Sequence, residues 1–208
     1  LQTTLYYAHD PMCSWCWGFA PVLRALESGL PGGVLLERLL GGLAPDTDAA
    51  MPQDMQQRIQ STWRRIRETL PGTEFNFDFW TRCTPRRSTW IACRAVIAAR
   101  QQGEVWDRRM TTAIQRAYYT QARNPSDTGV LLEVAQELGL DTGRFAADLD
   151  SEATRARLQA EMQQCEALHI YSFPALVLQA GASQWHIPVD YHDSLPMLEL
   201  ISDLFVID

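Results

Sequence analysis

Lysine is absent from the 208-residue chain: all 18 of its basic residues are arginine. No Schiff base and no lysine general base is therefore available to its chemistry. Long apolar runs are missing too. The longest, Ala95 to Ala99 and Ala175 to Leu178, fall far short of the roughly 20 residues that a membrane-spanning helix needs. There is no basic cluster, and 25 acidic against 18 basic residues give a formal charge of −7. That balance argues against a nucleic-acid surface. Cysteine is sparse and odd in number: five residues are too few for a disulfide scaffold of this length and leave at least one thiol unpaired. A reducing compartment, the cytoplasm, is the expected location. No basic stretch followed by an apolar one opens the chain, although it starts at Leu1 rather than Met, so a removed leader and a periplasmic location stay open. What is present suits a folded core: 46% hydrophobic residues and seven tryptophans.

The hydrophobic pattern divides the chain. Thr4 to Ala8 reads as a buried strand, broken by His9-Asp10-Pro11. From Cys13 the period becomes helical through Trp17, Ala20, Leu23 and Leu26, and Gly29 to Gly33 closes the helix. Val34 to Leu36 opens a second strand that ends near Gly41-Gly42. Strand, helix and strand in such a short span make a βαβ unit with parallel strands. Residues 46–164 carry helical periodicity instead, in blocks around Met55 to Leu70, Trp90 to Ile97, Trp106 to Tyr118 and Leu131 to Leu138; a last long helix carries Leu158, Met162 and Cys165. Phe75 to Trp80 is ambiguous. Pro174 to Leu178 and Gln184 to Val189 read as an antiparallel hairpin turning at Gly181-Ala182, with Pro188 marking an edge strand or an early end. Ser194 to Phe205 is a closing helix. The expected fold is α/β: a βαβ…ββα sheet domain from residues 1–45 and 165–208, interrupted by a large all-helical insertion over 46–164.

One motif carries chemistry. Cys13-Ser14-Trp15-Cys16 falls where the first strand gives way to the first helix. Two thiols at i and i+3 can close a disulfide there, and the first sits near the free N–H groups of the first turn, where the helix dipole favours a thiolate. The competing reading is half of a zinc site. A structural zinc needs four ligands; Cys83, Cys93 and Cys165 have no paired spacing, and His186 and His192 lie in a distant strand and loop. No metal is expected. Ser172 to Ala175 adds a proline at the head of a strand, a place where a cis X–Pro bond serves as a structural device.

The segment Asp10-Pro11-Met12-Cys13-Ser14-Trp15-Cys16-Trp17-Gly18 resembles the active-site segment of DsbA-family thiol oxidoreductases, in particular the FrnE-like branch, whose members are thioredoxin folds with a helical insertion. Ser88 to Arg94 is similar to the insert helix that faces the active site, with Cys93 where this branch often has His. Ala117 to Thr120 and Leu132 to Asp141 are similar to later insert helices, and Ile170 to Pro174 stands where the family has its cis-proline segment, without the usual glycine. The resemblance implies that Cys13 is the exposed, low-pKa nucleophile and Cys16 the resolving thiol. It implies that Pro174, in cis, packs against the pair and keeps metal away, and that Phe173 offers backbone groups to an extended substrate. Ser14 and Trp15 would tune the pair within the roughly 3.5–7 range of pKa seen in such motifs. Trp90 would line the substrate groove. No cofactor is implied beyond the redox-active disulfide, with glutathione a candidate small thiol; the partners would be protein or low-molecular-weight thiols and disulfides.

The sequence also departs from the pattern. The family's buried carboxylate, six residues before the nucleophile, is replaced by Tyr7. Asp10 either handles protons or shapes the loop. His9 reads as a loop histidine that would favour the Cys13 thiolate only if charged. Cys165 falls on a core helix face, Cys93 reads as a buried free thiol rather than a partner of Cys83, Trp63, Trp80 and Trp106 as core, and Arg86 and Arg87 as solvated surface. Two further readings stay open. One is a glutathione-dependent transferase or isomerase of the kappa-class or 2-hydroxychromene-2-carboxylate isomerase type, in which Ser usually stands at the Cys13 position. The other is a non-catalytic peptide-binding or chaperone-like module.

Overall fold

The computed structural model describes residues 2–206. Its first strand, β1 (Thr3–His9), alternates its side chains between two cores, as the two-residue period of a pleated strand requires. Leu5 and Tyr7 face one side with Leu176 and Leu178 of β3 (Ala175–Ala180); Tyr6 and Ala8 face the other with Val177. The helix α1 (Ser14–Gly29) covers the first face with Phe19, Leu23 and Leu26, spaced at helical intervals. Met197 and Ile201 of α9 (Leu195–Val206) complete that layer.

β2 (Val34–Leu40) runs parallel to β1, with Thr3 opposite Val34 and His9 opposite Leu40. β3 lies antiparallel on the other side of β1 and pairs with β4 (Ser183–Ile187), giving the order β2-β1-β3-β4. The hairpin turns at Gly181, whose φ of +55° suits a residue without a Cβ. β4 is the edge strand and stops at Ile187 rather than running on to Val189, because Pro188 has no N–H for a ladder.

Between β2 and β3 the chain forms α2 (Gln53–Thr69), the short α3 (Phe79–Arg82), α4 (Trp90–Arg100), α5 (Val105–Tyr119), α6 (Thr128–Leu138), α7 (Thr142–Leu149) and α8 (Glu152–Ala167). The ambiguous aromatic stretch is thus a loop leading into one helical turn. Its rings Phe75, Phe77, Phe79 and Trp80 pack around the fully buried Trp63 of α2. α7 has no counterpart in the periodic blocks of the sequence. It is only eight residues long, starts at Asp141, whose carboxylate accepts from the Arg144 N–H at 2.9 Å, and is held by buried Phe145 and Leu149. α4 buries nearly its whole length, Ala92 to Ala99, at the centre of the helical block.

The helices are joined to the sheet through a charge. Glu161 of α8 is 3% exposed. It accepts from the Leu40 N–H at the end of β2 (2.9 Å), from the Arg100 guanidinium of α4 (2.6 Å) and from Arg157 (3.0 Å), while Arg100 also reaches Asp107 of α5 at 2.8 Å. Replacing Glu161 by alanine strands the buried Leu40 N–H and takes from Arg100 one of its two carboxylate partners, leaving it Asp107 alone. Breaking such a pair costs about 3–5 kcal/mol, and urea unfolding of Glu161→Ala should show a loss of that size. A loss below about 1 kcal/mol, typical of a surface pair, would show that this joint does not hold the two parts together.

Candidate active site

The site is assembled where β1 ends. His9 closes the strand, and Asp10 turns the chain into α1: its C=O accepts from the Cys13 N–H at 3.0 Å and its carboxylate from the Met12 N–H at 2.8 Å. The same carboxylate, fully buried, also accepts from the Leu43 N–H beyond β2 (2.7 Å), the Thr89 hydroxyl (2.6 Å) and the Cys93 thiol of α4 (3.4 Å). Burial raises the Asp10 pKa, and these donors oppose the rise. Its contacts are those of a residue that shapes the loop and ties it to two other segments.

Cys13 is the N-cap of α1, with φ −82° and ψ 117°. It was expected to be exposed, but it is 7% accessible, because the segment before β3 lies across it. Its thiol donates to the Phe173 carbonyl at 3.4 Å, and the Phe173–Pro174 peptide is cis. Cys16, one turn into the helix, is fully buried. The surroundings push the two thiols apart. A hydrogen bond from the Cys16 side chain, helped by the Cys16 and Trp15 backbone N–H groups, lowers the Cys13 pKa despite burial. Burial first, then the bond to Cys13 and the Cys13 charge, hold Cys16 well above the ordinary thiol value.

The remaining predicted residues surround this pair unequally. Phe173 is half-buried, and its ring lies against Gly41: a Cβ at Gly41 would come within 1.9 Å of Phe173 Cζ. Trp90 donates from its indole N–H to the Gly42 carbonyl at 2.9 Å and so braces the turn on which Phe173 rests. Ser14 meets the helical block, and Trp15 lies between that block and the segment after β4. The Ser14 hydroxyl accepts from the Trp63 indole at 2.9 Å; Trp15 has Arg65 over its ring at 5.7 Å and Tyr191 edge-on at 5.1 Å.

Two further expectations, for His9 and Arg86, need correction. His9 is not a loop residue but the last residue of β1, 1% exposed and stacked on Tyr7 at 4.9 Å. Burial, with Arg38 and Arg100 adding to it, holds its pKa well below the usual value, so it is neutral and gives the Cys13 thiolate no charge. Arg86 is not solvated surface: it pairs with Asp127 and donates to the Ser126 carbonyl. Cys93 and Cys83 are unpaired, one bound to Asp10 and the other donating to the Ala122 carbonyl at 3.1 Å. Cys165 lies in the core, its pKa pushed up to about 12 by burial. Three residues at the site escaped the sequence reading. Trp63 and Tyr191 are aromatic side chains that nothing distinguishes from core, and Gly41 carries no signal of the ring above it. Among the described residues, no three His, Cys, Asp or Glu side chains gather as a metal site.

Comparison with known proteins gives a consistent picture. The family described as thioredoxin matches residues 6–199. A solved chain from Nitrosomonas europaea, provisionally described as a protein disulfide isomerase, is 27% identical with a TM-score of 0.84, covering 99% of this chain and 98% of that one. The cytosolic disulfide reductase DsbM from Pseudomonas aeruginosa is 26% identical with a TM-score of 0.78, covering 98% and 99%; it has also been solved with GSH. The ClpXP adapter protein SpxH of Bacillus subtilis is 25% identical over 191 residues, 84% of this chain and 62% of that protein. The chain therefore spans about three-fifths of the length of that curated relative.

The contact between positions 41 and 173 can be tested directly. A methyl group at Gly41 displaces the Phe173 ring and with it the carbonyl over Cys13. Gly41→Ala should lose about 1–3 kcal/mol of stability, the usual cost of overpacking, and its Cys13 should be alkylated faster by iodoacetamide than in the wild type. Unchanged alkylation would show that Phe173 does not cover the thiol.

Proposed function

The chain belongs to the thioredoxin family, and on that premise we propose that it is a thiol–disulfide oxidoreductase working through Cys13 and Cys16. The observation that carries this reading is the opposed setting of the two thiols, one lowered at the helix start beside the Phe173 carbonyl, the other raised and fully buried. The Cys13 thiolate attacks a substrate disulfide; a Cys13–substrate bond forms, the substrate S–S bond breaks, and one substrate thiol leaves. Cys16 then attacks the Cys13 sulfur, forming the Cys13–Cys16 disulfide and expelling the second thiol. The substrate gains two electrons and the enzyme loses two. Reversal of these steps oxidises a dithiol, and an incomplete cycle shuffles disulfides.

The other residues take supporting parts in this proposal. Phe173 presents its backbone to an extended substrate segment, and Pro174 fills the space beside the sulfurs that a metal would need. Ser14 and Trp15 tune the pair through Trp63 and Arg65, Trp90 holds the Gly41-Gly42 turn in place, and Asp10 fixes the loop. The substrates are protein or small thiols and disulfides. Glutathione is the favoured electron source, as a relative of similar length is a disulfide reductase solved with GSH. A reducing compartment suits the reading, since Cys93 and Cys165 are buried thiols in separate clusters. Placement in the FrnE-like branch rests on residues 10–18. The similarity to SpxH favours a second reading, in which the same groove binds a protein partner without turnover.

Insulin reduction with glutathione as electron donor tests the proposal. Cys13→Ser should abolish activity, Cys16→Ser should trap a mixed disulfide on Cys13, and alkylation of Cys13 in the reduced protein should titrate below the ordinary thiol value. Activity that survives Cys13→Ser sinks the redox reading, and partner binding without any turnover would favour the second.

A further inference from the structure

Away from the two thiols, charge is spread unevenly over the chain. The formal total is −7, yet four arginines gather around one groove between α1 and α5: Arg24 on the first helix, and Arg108, Arg109 and Arg116 on the second. The groove has a volume of about 820 Å³. Two carboxylates also line it, and both are already engaged: Glu27 by Arg38 as well as Arg108, and Glu137 by Arg123 at 3.0 Å. Among the described residues, Arg24, Arg109 and Arg116 pair with no acid. Arg109 rests over the Trp106 ring at 5.1 Å.

The arrangement along α5 is regular. Arg108, Thr112 and Arg116 follow one another at four-residue intervals on one face of the helix, so the two arginines stand about 12 Å apart along its axis. Arg24 lines the same groove from α1, and the Arg108–Glu27 pair at 3.3 Å bridges the two helices. Like charges held in a groove focus a positive potential into it, and an anion placed among them relieves their repulsion. The guanidinium fork suits phosphate oxygens. A second depression, of about 610 Å³, shares Arg24 and Arg116 with the first. Its walls include Trp17, Val22, Leu70 and Tyr191. Trp17 is fixed there, stacked on Tyr119 at 5.7 Å and donating from its indole N–H to the Glu74 carbonyl at 3.0 Å. The Glu74 side chain and His192 also border this half, and Glu74 is exposed to solvent. A cationic half and a largely aromatic and aliphatic half thus meet at Arg24 and Arg116.

We propose that this cleft is a binding site for a nucleoside polyphosphate, with its phosphates among Arg24, Arg108, Arg109 and Arg116 and its base and sugar in the half walled by Trp17 and Tyr191. The two halves select this class together. A single small anion is too short to span the arginines and leaves the second half empty. An uncharged apolar ligand leaves the arginines facing one another. A nucleic-acid strand would have to continue beyond the groove over a chain of net negative charge. Binding alone is assigned to the cleft, with no covalent step. Its walls include none of Cys13, Phe173 and Pro174, so the site stands apart from the thiol chemistry and does not depend on it.

The test is calorimetric titration of the full chain with ATP at low salt, which should give a one-to-one complex. Arg24→Gln and Arg116→Gln should each weaken it about tenfold, the worth of one charge-assisted contact. Both side chains are exposed and make no hydrogen bond among the described residues, so these variants should keep the wild-type urea midpoint. Arg82→Gln removes the same charge from exposed α3 and should leave the affinity unchanged. Inorganic tripolyphosphate should bind more weakly than ATP, and adenosine not measurably. Cys13→Ser should bind ATP as the wild type does, which separates this result from the fate of the redox reading. No binding at roughly millimolar ATP overturns the site. Equal weakening by Arg82→Gln and Arg24→Gln overturns it too, since net charge rather than the groove would then attract the ligand. Tripolyphosphate binding as tightly as ATP overturns the part given to the Trp17 half, and adenosine doing so overturns the part given to the arginines.

Discussion

The buried Asp10 carboxylate is the constraint on which the site depends. Placing a charge where no solvent reaches costs several kcal/mol unless hydrogen bonds replace the lost water. Here the replacements come from three separate segments: the loop before α1, the turn after β2 and the start of α4. Satisfying one side chain therefore fixes the approach of the helical block to the end of the sheet. It also fixes where α1 begins, and so where the Cys13 sulfur stands relative to the free N–H groups of the first turn. Glu161 performs the same kind of joining at the neighbouring end of β2.

The two cysteines then differ by position alone. Cys13, outside the first turn, receives hydrogen bonds from the backbone and from its partner; Cys16, one turn inward, receives the burial. The difference needs no lysine and no charged histidine, which accords with a chain that has none of the former and keeps His9 neutral. Electrostatic asymmetry is supplied by the fold, through the helix start and the depth of each sulfur.

Much of this was legible in the sequence, and the illegible part has a common cause. The βαβ unit, the hairpin and the closing helix follow from two- and 3.6-residue periods, which are local properties. The Cys13–Cys16 motif and Pro174 stand at element boundaries, where turn chemistry is also local. What stayed hidden depends on contacts between distant residues. The donors to Asp10 at positions 43, 89 and 93 belong to other elements, as does Trp63, whose indole holds Ser14. Accessibility of Cys13 was misjudged for the same reason, since the segment that covers it arrives at the far end of the chain. His9 was misplaced because a following Asp-Pro ends a strand one residue later than the breaker pattern implies. α7 escaped because eight residues held by a cap and two core side chains give too little periodicity to read.

The contact of the Phe173 ring on Gly41 makes two remote positions share a single allotment of space. Neither residue can be judged alone: a larger side chain at 41 is compatible only with a smaller one at 173, and a smaller one at 173 by itself leaves a gap over Gly41. Across related chains these two positions should therefore vary together, so that the size at one is legible from the size at the other.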